Sequence, residues 1–112
     1  MKNVWLISME KLNYFREGNS HNMAGQLRVI AGVQNLAYEK RVGLRYTIDN
    51  FQHFTDVNGE WSRQVNPETD EFTILTRSDI TPGVLLKFAL FYQTAGQTYW
   101  DSNDGIFYSV QF

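Results

Sequence analysis

An alternation of apolar and polar residues with a period of two is the feature of this chain that most restricts its fold. In the stretch RVGLRYTID, Val42, Leu44, Tyr46 and Ile48 alternate with small or polar residues. That period places the four apolar side chains on one face of a half-buried β-strand. No segment carries a sustained helical stripe of apolar residues. The chain is therefore predicted to fold from β-strands.

A central strand and several shorter strands are predicted from the same pattern. The stretch VLLKFALFYQ is apolar on both faces, which is typical of a strand inside a sheet. Turn-forming residues separate the predicted strands along the whole chain. Seven or eight short strands at this spacing indicate one antiparallel β-sandwich, a single domain over residues 1–112. The other predicted strands are VWLISMEKL, QLRVIAGVQ, EFTILTR and IFYSVQF.

Composition and charge exclude several classes of function. The formal net charge is -2 and the basic residues are dispersed singly, so no basic stripe is available for nucleic acid. The absence of cysteine excludes disulfides, thiol catalysis and cysteine-ligated zinc. No run of apolar residues reaches membrane-spanning length, and no secretory signal pattern is present. We therefore expect neither a nucleic acid nor a membrane as partner, and a cytoplasmic location.

Catalysis is not expected from this sequence. Hydrolysis of a sugar needs two carboxylates facing each other across a cleft, and the acids here are interpreted as solvated loop residues. His21 and His53 are predicted to lie in polar loops as bystanders. The run DSNDG does not have the spacing of a calcium loop, so no metal or cofactor is predicted. The acids considered are Glu39, Asp49, Glu60, Asp101 and Asp104.

The stretch YWDSNDGIFY contains more aromatic and polar residues than a turn requires. An ordinary hairpin turn needs only Asp104-Gly105. Strand-end aromatics often cover the edge of a core, but Trp100 lies beside four polar residues and is predicted to be partly exposed. An exposed ring can stack on the apolar C–H face of a sugar, while Asn and Asp side chains bind its hydroxyl groups. The stretch therefore predicts a site for a neutral sugar.

Two stretches of the chain resemble the family 21 carbohydrate-binding modules. They are VQNLAYEKRVGLRYTIDNF and KFALFYQTAGQTYWDSNDGIFY, and they occur in the order and at the separation seen in that family. The family includes the starch-binding domains of fungal glucoamylase and the glycogen-targeting regulatory subunits of protein phosphatase 1. The resemblance implies an immunoglobulin-like β-sandwich of about eight strands. It also implies non-catalytic binding of α-glucans (starch, glycogen and maltooligosaccharides), with an enzyme delivered to the polymer.

The resemblance implies a main sugar site at the second of these stretches. Trp100 would be the stacking platform, and Asp101, Asn103 and Asp104 would supply polar contacts. Phe51 stands where the family has a second stacking Trp. The sequence departs from the family pattern at three positions here, because Phe51 replaces Trp while Ser102 and Phe107 each replace Asn.

A second sugar site is implied nearer the first stretch. Some members of the family use the aromatic of the NLAY run, which is Tyr38 in this chain, together with an aromatic on a following loop. Trp61 is the match for that second aromatic, and Lys40 lies next to the site.

An alternative interpretation is an immunoglobulin-like module that holds a partner protein and has weak or vestigial glucan binding. Relatives that target the phosphatase carry an Arg/Lys-Val-x-Phe docking motif outside this domain. The two Arg-Val pairs of this chain, in RVIA and RVGL, lack the Phe. The partner expected under either interpretation is a glycogen-metabolic enzyme or the phosphatase.

Overall fold

Two antiparallel β-sheets make up the computed structural model, which describes residues 2–16 and 19–112. Its described residues form nine β-strands, and they include no helix long and apolar enough to cross a membrane. The strands are β1 (Val4–Arg16), β2 (Asn19–Gln34), β3 (Arg41–Thr47), β4 (Thr55–Asn58), β5 (Glu60–Asn66), β6 (Thr69–Leu75), β7 (Leu85–Thr94), β8 (Gln97–Asp101) and β9 (Tyr108–Gln111).

The order of strands in each sheet determines which loops come together. The first sheet has the order β1-β2-β6-β5, and the second has the order β4-β3-β7-β8. Strand β9 also pairs with β7, over Leu85–Phe88, whereas β8 pairs with it over Leu90–Thr94. Strands β8 and β9 thus follow one another along the same side of β7, and residues 102–107 form the loop between them. The two antiparallel sheets confirm the predicted β-sandwich.

The core lies between the sheets and follows the alternation in the sequence. The predicted inward face of β3 is buried at Val42, Leu44 and Tyr46. Strand β7 is buried on both faces, as predicted for a central strand, because Ala89 and Phe91 on its outer face are covered as well. Its inward residues, which are less than 1% exposed, are Leu86, Phe88, Leu90 and Tyr92.

The structure differs from the sequence predictions in several elements. Strands β4, β5 and β8 were not predicted, so Trp61 and Trp100 lie within strands rather than in turns. The hairpin of β1 and β2 is longer than predicted, and His21 belongs to β2 rather than to a loop. The turn predicted at residues 17–20 falls partly on Glu17 and Gly18, which lie outside the described residues.

Candidate functional site

A groove of about 830 Å³ lies beside the outer end of the first sheet, and we call it the edge groove. The segment between β2 and β3 forms one wall, while β5 and β6 form the other. The structure brings together Tyr38, Lys40 and Trp61, the three residues assigned by resemblance to a second sugar site. The full lining is Asn35, Tyr38, Glu39, Lys40, Trp61, Gln64, Asp70 and Phe72.

Two aromatic side chains of the edge groove face solvent. Tyr38 is 97% exposed and Trp61 is 59% exposed. Trp61 pairs across the ladder with Phe72, whose side chain points inward, so the indole leaves β5 on that same face. Neither side chain is needed to fill the core. Large exposed aromatics without a packing role mark surfaces that bind other molecules.

A buried carboxylate forms the floor of the edge groove. Asp70 Oδ2 lies 3.4 Å from Lys40 Nζ, and the two side chains are 9% and 7% exposed. Among the described residues, Asp70 Oδ1 has no hydrogen-bond partner. Buried polar atoms almost always have partners, so this oxygen is an exception beneath the surface of the groove. Asp70 was not predicted from the sequence. Its place two residues before Phe72, on the inward face of β6, could have indicated a buried carboxylate.

Hydrogen bonds fix the segment that carries Tyr38. The side-chain amide of Asn35 donates to the carbonyl oxygen of Pro67 at 3.1 Å, and its backbone N–H donates to that of Glu68 at 2.8 Å. At the other end of the segment, the hydroxyl of Thr94 donates to the carbonyl oxygen of Glu39 at 2.8 Å. The aromatic side chain is thus presented from an ordered backbone, which lowers the entropy lost on binding.

Trp100 lies on the outer face of the second sheet and is 47% exposed, as predicted. The Arg45 guanidinium lies between two aromatic rings, 4.1 Å from the ring centre of Phe54 and 5.1 Å from that of Trp100. Arg45 also donates two hydrogen bonds to Asp56, at 2.8 and 3.1 Å, which raise the pKa of Arg45 and lower that of Asp56. Phe91 contacts the indole edge-on, at 5.7 Å between ring centres.

Asp101, which the resemblance assigns to polar sugar contact, is only 3% exposed. Its Oδ1 accepts hydrogen bonds from Lys2 Nζ at 2.9 Å and the Asn103 N–H at 3.1 Å, and its Oδ2 accepts one from the Tyr108 hydroxyl at 2.7 Å. Burial raises the pKa of Asp101, but the hydrogen bonds from Tyr108, Lys2 and Asn103 outweigh it and the net pKa is lowered. Burial and the neighbouring carboxylate raise the pKa of Tyr108. Asp101 thus supports the loop from within.

The loop of residues 102–107 is a sharp turn held by its own backbone. Asn103, Asp104 and Phe107 have φ angles of 53°, 59° and 63°, in the left-handed region that favours glycine. The Asn103 side chain lies 3.4 Å from the carbonyl oxygen of Phe107, and Asp104 is exposed. Sugar contact by Asn103 and Asp104 stays a prediction.

Phe51, the second stacking residue implied by the resemblance, packs against Phe107. Their ring centres are 4.5 Å apart at an interplanar angle of 40°. Phe51 also has a left-handed backbone, with φ of 66°, and its N–H donates to the Thr47 hydroxyl at 2.9 Å. The loop between β3 and β4 therefore meets the loop between β8 and β9 through these two rings.

A smaller cleft of about 480 Å³ lies between the β3–β4 loop and the β6–β7 loop. Within it, His53 Nδ1 lies 2.7 Å from Asp49 Oδ2. The hydrogen bonds from the backbone N–H of His53, its ring and Thr47 lower the pKa of Asp49 to about 2. A carboxyl with such a low pKa stays ionised and is a poor general acid, so Asp49 is not suited to donate the proton that glycoside hydrolysis needs.

Comparison with known families places this arrangement in context. The sequence matches the family described as carbohydrate/starch-binding module, family 21, over residues 2–111. It is 37% identical over 90 residues to human protein phosphatase 1 regulatory subunit 3B, covering 74% of this chain and 32% of that protein. It is 30% identical over 107 residues to bovine protein phosphatase 1 regulatory subunit 3C, covering 88% and 34% respectively. The chain spans about a third of the length of these relatives.

Two solved structures share the fold. One is the solution structure of the carbohydrate-binding module of the muscle glycogen-targeting subunit of protein phosphatase 1, with a TM-score of 0.70 and 24% identity over 96% of this chain and 74% of that one. The other is the starch-binding domain of Rhizopus oryzae glucoamylase in complex with β-cyclodextrin and maltoheptaose. It has a TM-score of 0.64 and 21% identity over 100% of this chain and 95% of that one. Both likenesses confirm the sandwich fold.

Proposed function

Because this chain belongs to the family 21 carbohydrate/starch-binding modules, we propose that it binds α-glucan chains of starch, glycogen or maltooligosaccharides in the edge groove. The observation that carries the proposal is the arrangement of Tyr38 and Trp61, both exposed, beside the polar side chains of Glu39 and Gln64 in one groove. The aromatic rings offer apolar faces and the carboxylate accepts hydrogen bonds. A glucose unit has matching groups, because its C–H faces are apolar and its hydroxyls are donors.

The expected affinity of the edge groove is modest. Burial of ~100 Å² of apolar sugar surface against the two rings is worth roughly 2.5 kcal/mol. Hydrogen bonds to the polar side chains that line the groove add to that, and the ordering of the sugar chain subtracts from it. Dissociation constants between micromolar and millimolar follow. A polymer with many equivalent segments raises the retention of such a module, because each released segment is close to another.

The role of the module is to bring an enzyme to the polymer rather than to act on it. Family 21 is a family of binding modules, and two relatives of this chain are named as regulatory subunits of protein phosphatase 1. We therefore propose that the phosphatase, or another glycogen-metabolic enzyme, is delivered to the glucan. The open shape of the edge groove and the low pKa of Asp49 support a non-catalytic role.

A second candidate function is the binding of a partner protein with little contribution from glucan. It is favoured by the aromatic surface around Trp100, where Arg45 is fixed between two rings. Such rigid aromatic and arginine side chains are typical of protein interfaces.

Co-sedimentation with insoluble starch and with glycogen tests the proposed function. The wild-type protein is compared with Tyr38→Ala and with Leu36→Ala, a matched control in which a 48% exposed side chain of the same segment is removed outside the groove. We expect retention of the wild type and of Leu36→Ala, and at least tenfold weaker retention of Tyr38→Ala. A folded wild-type protein that stays in solution with both polymers would favour the second candidate function. Release of reducing sugar would contradict the non-catalytic role.

A further inference from the structure

We propose that the edge groove is the single working glucan site of this module, because contact between Phe51 and Phe107 closes the other predicted site to sugar. We call that other site the loop end, meaning Trp100 with residues 48–54 and 102–107. The inference rests on the proposed function and decides how many sugar chains one module holds. Three observations at the loop end and one at the edge groove carry it.

The first observation is the contact between the two phenylalanine rings. With their centres 4.5 Å apart, the rings cover part of each other's faces. A face that packs on another ring is not available to stack on a sugar, and neither side chain offers a hydrogen-bond donor or acceptor. Both residues belong to positions at which the sequence departs from the family pattern. Because the two rings contact each other, these two departures from the family pattern affect the same surface together.

The second observation is that two polar side chains next to or within this loop already bind groups of the protein. Both carboxylate oxygens of Asp101 accept hydrogen bonds, from Lys2, Tyr108 and the Asn103 N–H. The hydroxyl oxygen of Ser102 accepts the N–H of Gly105 at 3.2 Å. Because Asp101 is only 3% exposed, a sugar hydroxyl could reach it only if these partners moved aside, which cancels most of the gain.

The third observation concerns the ring of Trp100. Arg45 lies 5.1 Å from its centre and Phe91 contacts it edge-on. Arg45 is itself held by two hydrogen bonds to Asp56 and by the ring of Phe54. Sugar stacking on the covered side of the indole would require the guanidinium to leave all of these partners.

The edge groove shows the opposite condition. Tyr38 is almost fully exposed, and no aromatic partner covers it in the part of the chain that the structure describes. The exposed polar side chains of Glu39 and Gln64 line the same groove, so a sugar hydroxyl can bind beside the Tyr38 ring. A sugar can therefore contact Tyr38 in the edge groove without breaking a ring contact, whereas at the loop end it would have to replace contacts within the protein.

Calorimetric titration with maltoheptaose, together with the NMR signals of the three tryptophan indoles, tests the inference. We expect one oligosaccharide per chain, a shift of the Trp61 indole signal on titration, and no shift of the Trp100 signal. A shift of the Trp61 signal without a shift of the Trp100 signal also shows that no single sugar chain contacts both the edge groove and the loop end. Two oligosaccharides per chain, or a saturable shift of Trp100, would overturn the inference while leaving the proposed function intact. Failure of the wild type to bind would instead remove the proposed function.

Opening the loop end gives a second, independent test. In the double variant Phe51→Trp/Phe107→Asn, a stacking indole and an amide replace the packed pair, and we expect the stoichiometry to rise from one to two. In Phe51→Trp alone Phe107 still packs against the replaced ring, so the stoichiometry should stay at one. A folded double variant that still binds one oligosaccharide would show that the pair is not what closes the loop end. A second site in Phe51→Trp alone would show that Phe107 does not cover this ring.

Discussion

Asp70 lies on the inward face of β6 and also lines the edge groove. The alternation of β6 places its side chain on the inward face, as it does that of Phe72. Lys40 compensates the charge of the carboxylate at 3.4 Å, and among the described residues the second oxygen has no hydrogen-bond partner. The ion pair therefore makes it possible to keep an acceptor at a depth where an isolated carboxylate would be too costly.

Removal of the Lys40 charge should destabilise the fold. In Lys40→Met the Asp70 carboxylate stays buried without its cation, and we expect the free energy of unfolding to fall by about 3 kcal/mol. Urea denaturation at neutral pH measures this loss. In the double variant Lys40→Met/Asp70→Leu the buried charge is absent, so much of the loss should be recovered. A loss below about 1 kcal/mol in the single variant would mean that water screens the pair.

Removal of the Tyr108 hydroxyl should raise the pKa of Asp101. The hydrogen bond from Tyr108 is the strongest of the interactions that lower this pKa against the effect of burial. A lowered pKa in the folded state stabilises the fold above the ordinary pKa of Asp, about 3.9, and this stabilisation disappears as the pH falls through the lowered value. In Tyr108→Phe the part of the acid-induced loss of stability that Asp101 contributes should therefore be smaller and should end at higher pH.

An NMR titration of Asp101 and urea denaturation between pH 2 and 7, on the order of the range over which carboxyl groups titrate, measure this change. In Asp101→Asn, the matched control, the contribution of this group to the acid limb should be absent. An unchanged pKa in Tyr108→Phe would show that Lys2 and the Asn103 N–H hold the charge alone.

The residues of the candidate site differ in how far the sequence predicts them. Family resemblance identifies Tyr38, Lys40 and Trp61, and the structure places all three in one groove. The contact between Phe51 and Phe107 was not predictable, because both have a left-handed backbone that phenylalanine rarely adopts and that nothing in the residue type indicates. Contacts between two loops depend on such backbone angles rather than on periodicity.

At the scale of elements, the sequence predicts the strands that are buried on one face or both. Strand β3 carries a clear apolar alternation, β6 carries a weaker one and β7 is apolar on both faces, and their inward faces are buried as expected. Strand β5 is exposed at every position, so it has no apolar face to reveal it. Strand β4 has only four residues, too few for a period to be read. The edge strands β4 and β5 thus escape a method that depends on burial.

The pairing of β3 with β4 depends on Gly43. A Cβ atom at this position would overlap the carbonyl oxygen of Val57 and would lie 2.5 Å from Cζ of Phe91. We expect Gly43→Ala to lower the free energy of unfolding by about 3 kcal/mol, since neither the strand nor the packed ring can move freely. Thermal unfolding followed by circular dichroism measures the effect.

Gly96→Ala is the matched control for Gly43→Ala. Its Cβ atom would meet nothing within 4 Å, and only its φ of 76° opposes the change, at a cost of about 1 kcal/mol. Equal losses in the two variants would contradict the steric explanation for Gly43.

At the scale of the whole molecule, charge should contribute little to ligand capture. The formal net charge is only -2, the charges of Lys40 and Asp70 in the groove neutralise each other, and an α-glucan is uncharged. Long-range attraction between protein and ligand is therefore small, and salt has little to screen. The module is expected to find its polymer by diffusion and short-range contact.

Glucan affinity should accordingly be almost independent of ionic strength. Between roughly 50 and 500 mM NaCl we expect the dissociation constant for maltoheptaose to change by less than about twofold. Calorimetric titration at several salt concentrations measures this, with the folded state checked at each. A tenfold weakening at high salt, on the order of what several screened ion pairs produce, would indicate an anionic ligand instead.

The end-to-end arrangement of β8 and β9 on one side of β7 has a consequence for how such a module can change over time. Each strand is anchored by its own stretch of β7, Leu90–Thr94 for one and Leu85–Phe88 for the other. Residues 102–107 are therefore a loop whose flanking strands are each held by β7. Insertion, deletion or exchange within it alters what the loop presents while the core keeps its register. Substitutions in this loop can therefore change what the module binds while the two sheets still fold.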